Sequence, residues 1–143
     1  PATDGTSFLS VLKGDKNRHR EHAYLVHQYE GYSQRAIREK RFKFIYNPQH
    51  DTPYYLDSLM NPDSKKFFAK AWQEWMTLAE TDDDALESVD RVITHPEFEL
   101  YNINKDPWEL NNLANDPKYQ QRVQDMYQIY LEEFNRRGDD LSI

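Results

Sequence analysis

Glu99-Leu100-Tyr101-Asn102-Ile103-Asn104-Lys105-Asp106-Pro107-Trp108-Glu109-Leu110-Asn111-Asn112-Leu113-Ala114 changes character twice within a few residues, and the fold is read outward from it. Phe98, Leu100 and Ile103 around Tyr101 form a β-leaning apolar run. It breaks where Asn104-Lys105-Asp106-Pro107 gathers turn formers and a proline, so a strand ending near Ile103 is expected. Asp106 suits a helix N-cap, and Pro107 suits the first helical position, where no N–H is needed. Glu109 stands three residues after Asp106, as in a capping box. A short helix is expected to follow.

Such a strand needs partners, and the upstream sequence supplies them. Phe42, Phe44 and Tyr46 alternate with Lys43, Ile45 and Asn47 in the clearest strand pattern of the chain. Gln34 to Glu39 precedes it through a tight connection at Lys40-Arg41. Ala23 to Tyr29 precedes that through a turn at Glu30-Gly31-Tyr32-Ser33. These three form an antiparallel meander, and the stretch ending in Tyr101 is the natural fourth strand, because hairpins alone would leave an unpaired edge.

Covering this sheet falls to the last helix. Asp116-Pro117 caps and opens it, Val123, Met126, Tyr127, Tyr130, Leu131 and Phe134 line one face, and Gly138 ends it behind Arg136 and Arg137. Burying that stripe is worth roughly 1.5–3 kcal/mol per fully buried large side chain before entropy is subtracted.

Between strands three and four, Pro48 to Met60 reads as an irregular loop. Asn61-Pro62 then caps a helix carrying Phe67, Phe68, Ala71, Trp72, Trp75, Met76 and Ala79, and Asp82-Asp83-Asp84 starts a second with Leu86, Val89 and Ile93 inside. The expected fold is α+β: a four-stranded antiparallel sheet packed by a long C-terminal helix, with a helical hairpin insertion. Residues 1–143 form a single domain in this reading, with 1–21 as a lead-in segment and 48–96 as the helical insertion. Within the lead-in, Ser7 to Lys13 reads as a short helix stopped by Gly14 that docks on a neighbour. A charged connector follows, from Asp15 to His22.

The 18 Lys+Arg against 25 Asp+Glu leave a net charge of −7, which argues against a nucleic-acid or anionic-membrane binder. No cysteine is present, which excludes a disulfide framework, a thiolate metal site and a cysteine nucleophile, and leaves the compartment open. No apolar run approaches the ~20 residues that span a bilayer. Aromatic residues make up 14% of a chain only 38% hydrophobic, so the core is expected to lean on rings.

The opening stretch resembles the E-L-Y-D-L-x-x-D-P-x-E-x-x-N-L-A signature near the C-terminus of type I sulfatases. Glu99, Leu100, Tyr101, Asp106, Pro107, Glu109, Asn112, Leu113 and Ala114 match it, and Asn102-Ile103 stands for the usual Asp-Leu. Arg35-Ala36-Ile37-Arg38 with Arg41-Phe42-Lys43-Phe44-Ile45 resembles the family's R-x-(V/I)-R-x-x-R-Y-K-(Y/L)-I strand pair. Asp4-Gly5-Thr6-Ser7-Phe8 with Leu12 and Gly14 is similar to the segment leading out of the catalytic domain. The resemblance covers nearly the whole chain and points to a C-terminal subdomain, closest to the N-sulfoglucosamine and iduronate sulfatase branch. The chain starts at Pro1 without an initiator Met, which an excised piece, a processed product or tag removal would explain; the resemblance favours the first.

Sulfatase chemistry by this resemblance needs a formylglycine made from Cys or Ser in a C/S-x-P-x-R motif, and a divalent cation, calcium, to polarise the sulfate oxygens. The chain has no Cys and no proline with a Ser two residues before it. The expectation is that this chain alone is not catalytic, that it holds no cofactor or metal, and that calcium and formylglycine belong to the parent enzyme. Its role is to pack on the parent's catalytic domain and shape one side of the pocket for a sulfated glycan. If the parent is exported to the periplasm or beyond, its signal lies upstream.

The resemblance also implies that the first strand reaches the pocket mouth. This makes His27 and Gln28 the candidate substrate-binding residues, with Arg35 behind them as a bidentate partner for an anionic sugar group. The competing reading makes His27 and Gln28 ordinary sheet polars and Arg35 a salt-bridge residue. His19-x-x-His22 reads as a solvated linker rather than a metal site. Tyr54, Tyr55, Trp72 and Trp75 could wall a saccharide cleft by stacking, but Trp72 and Trp75, at i, i+3 with Phe68 and Met76, read as core first. Two rivals stand beside the subdomain reading: a free-standing binding or oligomerisation module of the same fold, and a small enzyme using His27 or His95 as general base. An excised subdomain is also expected to expose an apolar face and to self-associate through it.

Overall fold

A computed structural model describes residues 5–29 and 31–141; Asp4 of the lead-in motif and Glu30 of the first turn lie outside the described residues. Four strands, β1 (Ala23–Tyr29), β2 (Tyr32–Arg38), β3 (Phe42–Tyr46) and β4 (Phe98–Asn102), form one antiparallel sheet in the order β1-β2-β3-β4. Gly31, with φ 85°, takes the left-handed conformation that the tight β1–β2 turn demands. The register sets Ile37 beside Phe44 and Phe44 beside Leu100, so the alternating apolar residues of β2, β3 and β4 share one face.

Onto that face packs the long C-terminal helix, Gln120–Arg137. Met126 and Tyr130 are buried against Ile37, Phe44 and Leu100, with Val123 and Ala114 closing the near end. Rings dominate: Phe44, Tyr46, Phe98, Tyr127, Tyr130 and Phe134 touch one another at centroid separations from 5.2 to 6.2 Å. Asp116 accepts from the Lys118 N–H at 2.9 Å, but it caps a 3₁₀ turn, Pro117–Tyr119, that leads into the helix. At the other end Gly138 adopts φ 60°, and Asp139 N–H donates to Phe134 O at 3.1 Å, closing a Schellman motif. This turn sends Asp139 back toward the sheet.

A four-residue α1 (Leu9–Leu12) precedes the sheet and buries none of its side chains. Three helices lie between β3 and β4: α2 (Asp57–Met60), α3 (Phe67–Leu78) and α4 (Asp83–Ile93); the C-terminal helix is therefore α5. Asp82 caps α4 by accepting from the Ala85 N–H at 2.8 Å. These helices enclose a second core of Met60, Trp72 and Val89, with Tyr54 and Ile93 against it. The sequence reading missed α2, and it started α3 too early: Asn61 caps a turn onto Asp63, and helical geometry begins at Phe67.

Another departure lies in the stretch quoted first. No helix forms after Pro107. Glu109 takes φ 57°, which breaks helical propagation, and its carboxylate pairs with Lys43 Nζ at 2.6 Å instead of folding back onto Asp106. Asp106 instead accepts the N–H groups of Leu110 and Asn111, at 3.0 and 2.8 Å. Asn112 then serves the sheet edge. Its Oδ1 accepts from Leu100 N–H at 2.9 Å, its Nδ2 donates to Phe98 O at 3.2 Å, and Leu113 N–H donates to Leu100 O at 2.8 Å. The loop stands in for a fifth strand along β4.

Candidate functional site

Strand alternation gives the sheet two unlike faces. One lies under α5. The other carries Leu25 and His27 from β1, Gln34 and Ala36 from β2, Lys43 and Ile45 from β3, and Glu99 and Tyr101 from β4. Two adjoining hollows share Gln34 and Ile45 on this open face: a cleft of ≈ 480 Å³ bounded by His95, Glu99 and Leu110, and a smaller one of ≈ 150 Å³ reaching His27 and Lys43.

The floor of the larger cleft is a chain of polar side chains. Glu99 Oε1 accepts from Asn47 Nδ2 at 2.7 Å, and Oε2 accepts from the Tyr101 hydroxyl. Asn47 Oδ1 accepts from Gln34 Nε2 at 2.7 Å, and His95 Nδ1 stands 3.6 Å from Glu99 Oε1. Burial disfavours the Glu99 charge, but the donors His95, Tyr101 and Asn47 outweigh it and hold the carboxyl below its ordinary value. The same burial, then the bond to Glu99, pushes the Tyr101 phenol up. Tyr32 packs its ring on Tyr54 at 4.5 Å and keeps a buried hydroxyl with no partner among the described residues. Burial first, then the Glu99 charge, pushes that phenol to about 12.

The three residues singled out from sequence do not share one face of the sheet. His27, opposite Gln34, lies exposed on the open face, whereas Gln28, opposite Ser33, belongs to the α5 side. Arg35 also lies on the α5 side and is only 1% exposed. Its Nε and Nη2 donate to the two oxygens of Asp139 at 2.7 and 3.0 Å, Nη1 to Ser33 Oγ and Gln34 O, and Nη2 also to Asp140 O. Five donors meet five acceptors within the chain. All five N–H groups of Arg35 are engaged in this way, and they tie the turn after α5 to β2.

Sequence reasoning passed over Glu99, Asn47 and Gln34. The signal was present in part, since a glutamate between Phe98 and Leu100 in an apolar strand must either face solvent or be paired. Asn47 and Gln34 come from other strands, and only the register unites them with it. Among the described residues no group of three or more acidic, His or Cys side chains could hold a metal. The chemistry of the donors explains this: Glu99 is spent on Asn47 and Tyr101, Asp139 on Arg35, and Asp106 on backbone amides. No catalytic step is assigned to these carboxylates. Among the described residues no helix is long and apolar enough to cross a membrane.

No family model matches the chain. It is 31% identical over 112 residues, 76% of its length, to an ulvan-active sulfatase of Formosa agariphila, of which it spans 18%. Among solved structures it resembles a 2-O GAG sulfatase at TM-score 0.56 and 20% identity, covering 96% of this chain and 21% of that one. It also resembles a protein of Bacteroides thetaiotaomicron VPI-5482 provisionally assigned as a sulfatase, at TM-score 0.57, 20% identity and the same coverage. The structural matches establish the likeness of fold, and the chain spans about a fifth of the length of each relative. By homology and fold the chain is a sulfatase-related α+β domain.

Proposed function

We propose that this chain is the C-terminal subdomain of a sulfatase that removes sulfate from an anionic polysaccharide, in the branch of the N-sulfoglucosamine and iduronate sulfatases. It packs on the parent's catalytic domain and forms one wall of the substrate pocket. The observation that carries this reading is the sulfatase match over 76% of this chain and only 18% of the relative. The relatives described as ulvan-active and as a 2-O GAG sulfatase both support a sulfated polysaccharide as substrate. Calcium and formylglycine are supplied by the parent's other domain, in keeping with the chain's lack of a nucleophile motif.

The two edges of the sheet support the packing role. The outer edge of β4 is sealed by Asn112 and Leu113, but β1 has no strand on its outer side among the described residues. Natural edges are guarded by lysine, proline or bulges, and Ala23–Tyr29 contains no lysine or proline while exposing Leu25, Val26 and Tyr29. Such an edge suits coverage by another part of the same enzyme. His27 lies on this strand and is the first choice for substrate contact; Gln28 follows it on the opposite face.

The test is sulfate release by the full-length gene product from a sulfated polysaccharide, with and without His27→Ala. The expected result is release by the parent, with KM raised about tenfold in the variant, equivalent to ~1.4 kcal/mol of binding. A parent that releases no sulfate contradicts the reading, and unchanged kinetics in the variant remove His27 from the pocket.

A further inference from the structure

Helix α3 exposes apolar side chains on the side turned away from the second core. At 100° per residue Trp72, which belongs to the second core, and the buried Ala69 share one side, while Phe67, Ala71, Trp75 and Phe68 share the outer arc. Phe67 is 78% exposed, Phe68 66% and Trp75 49%. The Phe67 and Phe68 rings meet edge to face at 5.9 Å, and Phe68 and Trp75 are seven residues apart, ~10 Å along the helix. Aromatic faces presented in this way stack on the C–H faces of sugar rings, and they contribute binding area at little entropic cost.

Charge selects the kind of sugar. Lys65, Lys66 and Lys70 stand around the same end of α3, all exposed, and none makes an ion pair among the described residues. Asp63 and Glu74 are the nearest carboxylates along the chain. Glu74 shares a shallow hollow with Lys70, Gln73 and Thr77 without pairing to Lys70. In a chain of net charge −7, three unpaired lysines beside exposed rings favour an anionic ligand with apolar faces.

We propose that the outer face of α3 is a docking site for a sulfated polysaccharide, with Phe67, Phe68 and Trp75 stacking on its rings and Lys65, Lys66 and Lys70 pairing with its sulfates. This rests on the sulfatase reading above for the nature of the polymer. It adds a second contact, apart from the open-face cleft, that holds a long chain while sulfate is removed elsewhere. The lysine contacts weaken as salt screens them, and the stacking persists.

Affinity electrophoresis of this 143-residue chain in gels containing dextran sulfate or unsulfated dextran tests the site. Dextran sulfate is expected to retard the chain and dextran to leave it unaffected. Lys65→Gln/Lys66→Gln/Lys70→Gln and, separately, Phe68→Ala/Trp75→Ala each weaken retardation about tenfold, a loss of ~1.4 kcal/mol, with the circular dichroism spectrum unchanged. Absent retardation, or variants that bind as well, overturns the proposal. Equal retardation by a single-stranded oligonucleotide, or equal co-sedimentation with phosphatidylserine vesicles, overturns it in favour of another polyanion. Retardation of this chain but not of the full-length parent also overturns it, since the catalytic domain then covers α3. Sulfate release by the parent is read separately, so loss of the docking site and loss of the sulfatase reading are distinct results.

Discussion

Arg35 and Asp139 hold each other through two parallel hydrogen bonds, Nε to Oδ2 at 2.7 Å and Nη2 to Oδ1 at 3.0 Å, across 104 residues of chain. The pair exists because Gly138 turns the backbone out of α5 and lays Asp139 over β2. Tyr24 adds its hydroxyl to Asp139 Oδ2 at 2.5 Å, so β1, β2 and the segment after α5 meet on one carboxylate.

Breaking one half of this pair is expected to be more harmful than replacing both. Asp139→Ala leaves a buried guanidinium without its counter-ion and should cost about 3–5 kcal/mol in urea unfolding. The double variant Arg35→Met/Asp139→Ala should recover much of that loss, because an apolar side chain carries no desolvation penalty. Equal destabilisation of the single and double variants would show that Arg35 contributes through packing rather than charge.

Acid should weaken α5 at a second place. Arg136 and Arg137 donate to Glu133 Oε2 at 2.7 and 2.8 Å, and His22 Nε2 lies 3.2 Å from Oε1. The hydrogen bond from Arg136 foremost lowers the Glu133 carboxyl to about 2 from 4.5, against the opposing effect of burial. Because the folded value is depressed, its contribution is present above the unfolded value of 4.5 and is lost as pH falls toward about 2. Thermal melts at pH 7 and pH 3 should therefore differ less in Glu133→Gln than in the wild type. An identical acid slope would remove Glu133 from the account.

How far the sequence revealed this molecule depends on how local each feature is. Phe42, Phe44 and Tyr46 declare β3 by alternation, and Val123, Met126 and Tyr130 declare α5 by helical spacing; both patterns are complete within one element. The stop of β4 near Ile103 was legible, but the conformation beyond Pro107 was not. Capping residues alone cannot announce that Glu109 will adopt φ 57° and spend its carboxylate on Lys43, which is distant in sequence. Arg35 and the Glu99 cluster failed to show for the same reason. An arginine in a strand reads equally as a ligand contact or an internal tie until Asp139 arrives from the far end of the chain.

The loop along β4 offers a sharper test of its role as a stand-in strand. Asn112→Ala removes the acceptor for Leu100 N–H and Ala114 N–H and the donor to Phe98 O. Leaving those groups unsatisfied should cost about 1–3 kcal/mol in chemical denaturation. Asn111→Ala, a neighbour with an exposed side chain, should change stability by no more than ~0.5 kcal/mol. Comparable losses in the two variants would contradict the edge-sealing role.

The central claim, that this domain works as part of a larger sulfatase, is tested most directly by the mass of the polypeptide that carries it in the native source. An antibody raised to this 17.2 kDa chain should detect a product several-fold larger, since the chain spans 18–21% of its relatives. A native product of about 17 kDa would contradict the claim and leave a free-standing module of sulfatase-like fold.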